Sequence, residues 1–69
     1  MKLIPKIFSA LELGQWFHDP TNLSLDKPFM KIDRIEDKWG NIWNVVDLNG
    51  VLEYFDECYV VDVEDYSGF

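Results

Sequence analysis

The chain has 69 residues, of which 48% are hydrophobic and 16% aromatic, and its formal net charge is −7. This length allows a single domain, the aromatic content argues against disorder, and the negative charge disfavours nucleic acid and anionic membranes as direct ligands. The single cysteine excludes an intramolecular disulfide, and no apolar run approaches the roughly 20 residues of a membrane span, so we expect a cytoplasmic protein.

The first half of the chain predicts short elements joined by turns. Residues 3–8 are apolar but contain a proline, which predicts an edge strand or an ordered arm because proline cannot donate a ladder hydrogen bond. Ser9-Ala10-Leu11-Glu12 has the spacing of a capping box and predicts one helical turn. Residues 15–17 predict a short strand, and a polar loop rich in turn formers follows it as far as Pro28.

The second half predicts four more strands, at residues 29–35, 42–48, 51–55 and 58–63. Asn49-Gly50 between two β-rich segments predicts a hairpin with a type I′ turn. In the last strand, Val61 and Val63 are expected on one face and Asp62 on the other. The pattern as a whole predicts a mainly β fold, a small antiparallel barrel of five or six short strands with one short helical turn. We expect one domain over residues 1–63 and an acidic, aromatic tail over residues 64–69.

Several of these segments together resemble small proteins encoded by bacteriophages. The similar stretches are Leu13-Gly14-Gln15-Trp16-Phe17, Phe29-Met30-Lys31-Ile32, residues 44–56 and residues 60–63. The resemblance lies in turn glycines and core strands. It implies an SH3-like barrel and a phage origin, and it supplies no catalytic residue.

Charge is distributed very unevenly along the chain. All six basic residues lie in the first 38 positions, where they balance six acidic ones, so the net charge belongs entirely to residues 39–69. That half carries Asp47, Glu53, Asp56, Glu57, Asp62, Glu64 and Asp65. Such an asymmetry makes part of the surface a candidate binding site for a basic partner.

The spacing of these acids suggests nucleic-acid mimicry. Strand residues two apart share a face and lie about 6.6–6.8 Å apart along the strand, which is comparable to the phosphate spacing of an extended nucleic-acid strand. On this interpretation Glu53, Asp56 and Glu57, followed by Asp62 and Glu64, form a row of negative charge. The alternative interpretation is that the acids only keep the protein soluble.

Aromatic residues are candidate anchors for a protein partner, since tryptophan and tyrosine dominate interface hot spots. Trp39 lies at a predicted hairpin tip, where it is either exposed or folded back over the end of the barrel. Tyr54, Tyr59 and Tyr66 lie close to acidic residues in the sequence.

No residue pattern predicts catalysis or a cofactor. His18 lies among turn formers, which predicts a solvated side chain, and Cys58 is expected to be a buried or half-buried structural cysteine. Asp62, Glu64 and Asp65 lack the glycine and spacing of a calcium loop. We therefore expect a protein that is not an enzyme and has no cofactor or metal.

Three functions are compatible with this sequence. The first is a phage-type inhibitor that binds a basic host nuclease, polymerase, transcription factor or defence protein through its acidic half. The second is a structural or assembly module that forms homodimers or docks on a larger particle. The third, a nucleotide-sequestering protein, requires Lys27, Lys31, Arg34 and Lys38 to cluster.

Overall fold

The computed structural model describes residues 2–21 and 26–66. This part of the chain contains six strands, β1 (Lys2–Ile7), β2 (Trp16–Phe17), β3 (Phe29–Glu36), β4 (Ile42–Asp47), β5 (Leu52–Glu53) and β6 (Val60–Asp65). One 3₁₀ turn, Phe8–Ala10, follows β1. All strand pairings are antiparallel, so the predicted mainly β class with short strands and a single helical turn is confirmed.

The strands form two sheets that a single backbone bridge joins. One sheet pairs β1 with β6, and the other has the order β2-β3-β4-β5. His18, directly after β2, donates its N–H to the carbonyl oxygen of Asp62 at 2.7 Å and accepts the N–H of Asp62 at 2.9 Å. Strand β6 therefore lies between β1 and the end of β2.

The proline of β1 occupies a position that needs no donor. Pro5 is opposite Asp62 in the β1–β6 pairing, and the N–H and C=O of Asp62 are both bonded to His18 on the other side. The register of the sheet thus accommodates the missing N–H of Pro5. Because β1 pairs with β6 alone among the described strands, its predicted edge position is confirmed.

The segment after β5 connects the far side of the second sheet to the end of β1. The side chain of Asn44 is buried and bonds both backbone groups of Phe55, donating Nδ2–H to its carbonyl and accepting its N–H, each at 2.8 Å. Further along, the carbonyls of Tyr59 and Glu57 accept the N–H groups of Phe8 and Ser9. These bonds hold residues 55–59 across the open end of the two sheets.

The same bonds explain why the predicted capping box is wrong. The 3₁₀ turn begins at Phe8, and no side chain caps it. The first two N–H groups of the turn donate instead to the backbone carbonyls of Tyr59 and Glu57. They therefore need no hydrogen bond from the Ser9 side chain. The Glu12 N–H is bonded by the side chain of Gln15.

The core is small and mostly aromatic. Its buried members are Phe8, Leu11, Phe17, Val45, Val61 and Val63. The Phe17 ring packs edge-on against Phe8, with centroids 5.6 Å apart, and against Phe55 at 5.2 Å. As predicted, Val61 and Val63 face inward while Asp62 does not. Lys31 fixes the 3₁₀ turn above this core, because its ammonium donates to the carbonyls of Phe8 and Leu11 at 3.1 and 3.0 Å.

The first hairpin, β3–β4, and the second, β4–β5, have the same kind of turn, and in the second it differs from the predicted type I′. In the second hairpin, Asp47 N–H bonds Val51 C=O, Gly50 N–H bonds Asp47 C=O, and Gly50 has φ +79°. Asn49 has a negative φ, so this is a type I turn followed by a left-handed glycine. Asp37 and Gly40, with φ +81°, repeat the arrangement in the first hairpin.

The aspartate that begins each turn is the reason for this geometry. The Asp47 carboxylate accepts the N–H groups of Asn49 and Val51 at 2.8 and 2.9 Å, and Asp37 does the same for Trp39 and Asn41. These bonds stabilise a type I turn, which a preceding aspartate favours.

The last two strands differ from prediction at their ends. Strand β5 is only Leu52–Glu53, and β6 begins at Val60 because residues 56–59 form a turn in which Asp56 accepts the N–H groups of Cys58 and Tyr59. Strand β6 also continues through Glu64 and Asp65, opposite Leu3 and Lys2, so these two acids belong to the sheet rather than to a tail. Residues 67–69 of the predicted tail lie outside the described residues.

Replacing Asn44 tests the connection across the sheets. Asn44→Ala leaves the N–H and C=O of Phe55 without their partners, and we expect a loss of about 1–3 kcal/mol in the free energy of unfolding. Urea denaturation measures this loss. The same substitution at exposed Asn49, whose side chain has no bond within the described residues, should change stability by less than about 0.5 kcal/mol. Equal effects of the two substitutions would contradict the role of Asn44.

Replacing Gly50 tests the turn geometry. A Cβ at this position would meet no atom within 4 Å, so Gly50→Ala introduces backbone strain alone and should cost about 1–2 kcal/mol. Gly50→Asn should cost less, because asparagine adopts positive φ more readily. Thermal unfolding of both variants gives the comparison, and an alanine variant as stable as the wild type would rule out the left-handed conformation.

Candidate protein-interaction surface

An exposed tyrosine marks the most distinctive surface of the described molecule. Tyr54 is 53% exposed and lies directly after β5, where three surface cavities meet. Around it lie Ile42, Trp43, Glu53, Asp56 and Glu57, and we call these six residues the Tyr54 surface. It combines an aromatic centre with three carboxylates from the acidic half of the chain.

The carboxylates of the Tyr54 surface make few bonds within the described residues, although Arg34 lines the cavity that contains Glu57 and Tyr54. Within the described residues, Glu53 and Glu57 form neither a salt bridge nor a side-chain hydrogen bond, and both are exposed. Asp56 is exposed and has one oxygen engaged by the N–H of Cys58 at 2.9 Å. Such carboxylates keep their capacity to accept hydrogen bonds from a partner.

Asp47, which we predicted as a binding residue, already has a structural role. One of its oxygens accepts two backbone N–H groups in the second hairpin turn. The sequence signal for this role is the spacing Asp-x-x-Gly, which occurs at Asp37-Lys38-Trp39-Gly40 and again at Asp47-Leu48-Asn49-Gly50. That repeated pattern distinguishes acids that build turns from acids that are available at the surface.

The remaining predicted acids lie on the other sheet. Asp62 and Glu64 are two residues apart on β6 and share a face, whereas Glu53 belongs to β5. Glu64 accepts a hydrogen bond from the Tyr66 hydroxyl and contacts His18 Nε2 at 3.2 Å. Asp65 is opposite Lys2. The acids that the sequence suggested as one row are therefore divided between the end of one sheet, the turn that follows it and the other sheet.

The predicted exposures of His18 and Cys58 are both wrong: His18 is buried rather than solvated, and Cys58 is exposed rather than buried. His18 is only 4% exposed, because it continues β2 by one residue and pairs with β6 rather than entering the loop. Its Nδ1 atom is buried and has no hydrogen-bond partner among the residues that the structure describes. Cys58 is exposed, because it lies in the turn that Asp56 caps rather than in β6.

Trp39 is exposed at the tip of the first hairpin. Its side chain is 75% accessible, and the ammonium of Lys38 lies 4.6 Å from the centre of its ring. The turn that holds it out is built by Asp37, which also accepts the indole N–H of Trp43 at 3.3 Å. The backbone and side chain of Asn41 and the backbone of Trp39 donate to the same carboxylate, and these bonds outweigh the effect of burial and lower the pKa of Asp37.

The basic residues that a nucleotide site would need line no common cavity among those described. The ammonium of Lys31 is bonded to two carbonyls beside the core, and that of Lys38 lies over Trp39. Lys27 lines a cavity together with acidic residues, and Arg34 lines a different one beside Glu57 and Tyr54.

Comparison with protein-family models, curated proteins and solved structures gives no match to this chain. Among residues 2–21 and 26–66, no group of three or more His, Cys, Asp or Glu side chains is arranged to hold a metal ion. In the same residues, no helix has the length and apolar character needed to cross a membrane.

The lowered pKa of Glu64 predicts that the protein loses stability as the pH falls. The hydrogen bond from Tyr66 and then that from His18 stabilise its carboxylate, and they hold its pKa below the usual value of 4.5 although partial burial opposes this. A lowered pKa in the folded state stabilises the protein above the unfolded-state pKa, and this contribution is lost as the pH falls through the folded-state value.

We therefore expect Glu64→Gln to be less stable than the wild type at pH 7, and the difference to shrink as the pH is lowered below 4.5. Urea denaturation at a series of pH values measures it. The matched control is Glu12→Gln, which removes an exposed carboxylate without a described partner and should leave the pH dependence unchanged. A difference between wild type and Glu64→Gln that is constant with pH would contradict the role of the ionised carboxylate.

Proposed function

We propose that this chain is a non-enzymatic protein-binding domain whose Tyr54 surface binds a basic surface of another protein. The observation that carries the proposal is the position of Tyr54, exposed between Glu53, Asp56 and Glu57. A half-exposed aromatic ring that shares its cavities with three exposed carboxylates has the composition of an interface centre for a positively charged partner. Residues 39–69 contain no basic residue that could neutralise these charges from the same half of the chain.

The solubility interpretation accounts less well for this arrangement. Charges that serve solubility alone are best dispersed over a surface with both signs mixed. Here exposed Tyr54 shares one cavity with Glu57, a second with Glu53, and a third with Trp43 and Ile42. Apolar and acidic groups at one place support binding rather than hydration.

We further propose that the partner is a nucleic-acid-handling or defence protein of a bacterial host. Basic grooves that bind phosphates are the surfaces most complementary to a carboxylate cluster. The resemblance to small phage proteins motivates the choice of host. Because β5 and β6 belong to different sheets, the mimicry we propose is confined to residues 53–57.

Capture of partners from a bacterial lysate at low and high salt tests this function. We expect the immobilised protein to retain a basic protein that elutes as salt is raised, because exposed charge pairs are screened. The double variant Glu53→Gln/Glu57→Gln should retain about two- to tenfold less of it. Quantitative mass spectrometry of the retained proteins is the measurement.

The control is Glu12→Gln/Asp33→Asn, which removes two exposed acids outside the cavities around Tyr54. It changes the net charge by the same amount and should retain the partner as the wild type does. Equal losses in the two double variants would show that net charge alone attracts the protein. Retention that is insensitive to salt would contradict the electrostatic mechanism.

One observation favours the second function, an assembly module. Trp39 projects from the first hairpin with 75% of its surface accessible, at a turn rigidly built by Asp37. If assembly is the function, Trp39→Ala should abolish association while the Glu53 and Glu57 substitutions leave it intact. Sedimentation of the three proteins separates the two functions.

A further inference from the structure

We infer that the Tyr54 surface contains a site for one arginine side chain of its partner, in the cavity between Tyr54 and Tyr59. This open cavity has a volume of about 310 Å³ and is lined by Asp19, Glu53, Tyr54, Phe55, Asp56 and Tyr59. We call it the acidic groove. The inference rests on the proposed function and specifies the chemistry of the group that it binds.

The walls of the acidic groove are aromatic. Phe55 and Tyr59 pack edge to face, with ring centroids 5.7 Å apart, and both are partly exposed. Tyr54 lies beside them and is 53% exposed. The faces of aromatic rings attract cations, and a guanidinium group can also stack flat on them.

Two of the three carboxylates are held in place before any partner binds. One oxygen of Asp19 accepts hydrogen bonds from the N–H and hydroxyl of Thr21 at 3.0 and 2.9 Å and from the Tyr59 hydroxyl at 2.9 Å. Asp56 is oriented in the same way by the N–H of Cys58. The second oxygen of each has no partner within the described residues, so both carboxylates can accept further bonds without reorientation.

Asp19 is also kept ionised. Partial burial opposes its charge, but the hydrogen bonds from the backbone and hydroxyl of Thr21 and from Tyr59 outweigh it and lower the pKa of this carboxyl. Glu53, the third carboxylate, is exposed at the end of β5 and has no described partner. The lining of the groove thus contains three carboxylates.

A neighbouring cavity differs from the acidic groove because its lining includes a basic residue. On another side of Tyr54, Arg34 lines a cavity together with Glu57, Ile42 and Asn44. The acidic groove has the same kind of lining, a tyrosine ring and carboxylates, but none of its lining residues is basic. A positively charged side chain of a partner would supply the cation that the lining of the groove lacks.

Arginine fits this site better than lysine does. Its planar group has five donors that can bond several carboxylates at once, whereas the lysine ammonium is compact and more strongly hydrated. The acidic groove offers acceptors from separate parts of the chain, Asp19 after β2 and Asp56 after β5, together with aromatic rings in the same lining. A group with donors in several directions satisfies that arrangement.

Titration of the whole protein with a hexa-arginine peptide tests the inference. Calorimetry gives the dissociation constant, and amide shifts in ¹⁵N spectra locate the peptide. We expect wild type to bind hexa-arginine more tightly than hexa-lysine, with the largest shifts at residues lining the acidic groove. Glu53→Gln should weaken binding about two- to fivefold, and Tyr54→Ala by a similar factor. Glu12→Gln, matched to Glu53→Gln in size and charge, should change it less than Glu53→Gln does.

The outcomes distinguish the site from the function on which it rests. If Glu53→Gln and Glu12→Gln weaken binding equally, or if hexa-lysine binds as tightly as hexa-arginine, the arginine site is wrong while an acidic binding surface remains. If the wild type binds neither peptide at low salt, the proposed function fails together with the site. Near-ultraviolet circular dichroism confirms that each variant is folded before its affinity is compared.

Discussion

The pair of hydrogen bonds between the Asn44 side chain and the backbone of Phe55 is the constraint on which the rest of the described structure depends. An asparagine amide presents one donor and one acceptor side by side, so it bonds a residue's N–H and C=O much as a neighbouring strand would. Here the Asn44 amide holds the chain that follows β5. The described pairing between β4 and β5 covers only two residues of β5, so it does not reach Phe55. Phe55 is thereby kept against Phe8, Phe17 and Phe29 in the aromatic core.

The candidate binding surface depends on the same constraint. Tyr54 and Asp56 are the immediate neighbours of Phe55, and with Phe55 directed into the core they are left at the surface beside each other. Farther along, the carbonyls of Glu57 and Tyr59 are bonded to the start of the 3₁₀ turn. The acidic segment is therefore fixed at both ends and has little conformational freedom to lose on binding, which favours affinity.

Local patterns in the sequence were sufficient to predict the class of fold, the alternation in β6 and the edge position of β1. Two of the errors came from interactions between segments that are distant in the sequence. His18 is buried because a distant strand, β6, pairs with it, and the end of β5 is determined by a buried amide on β4. For the candidate site, the charge asymmetry pointed to the acidic half, but it did not separate Asp47, which builds a turn, from Glu53, which is available. Only the three-dimensional structure groups Asp19 with Glu53 and Asp56, since Asp19 comes from the part of the chain with no net charge.

The position of Pro5 has a consequence for self-association. Because Asp62 directs its hydrogen-bonding groups toward His18, the residue opposite it on β1 directs its own backbone away from the sheet. A further strand pairing with this edge would need a backbone N–H donor at that position, and Pro5 has none. The outer edge of β1 is therefore a poor template for a further strand at this position, which disfavours edge-to-edge association between copies of the chain.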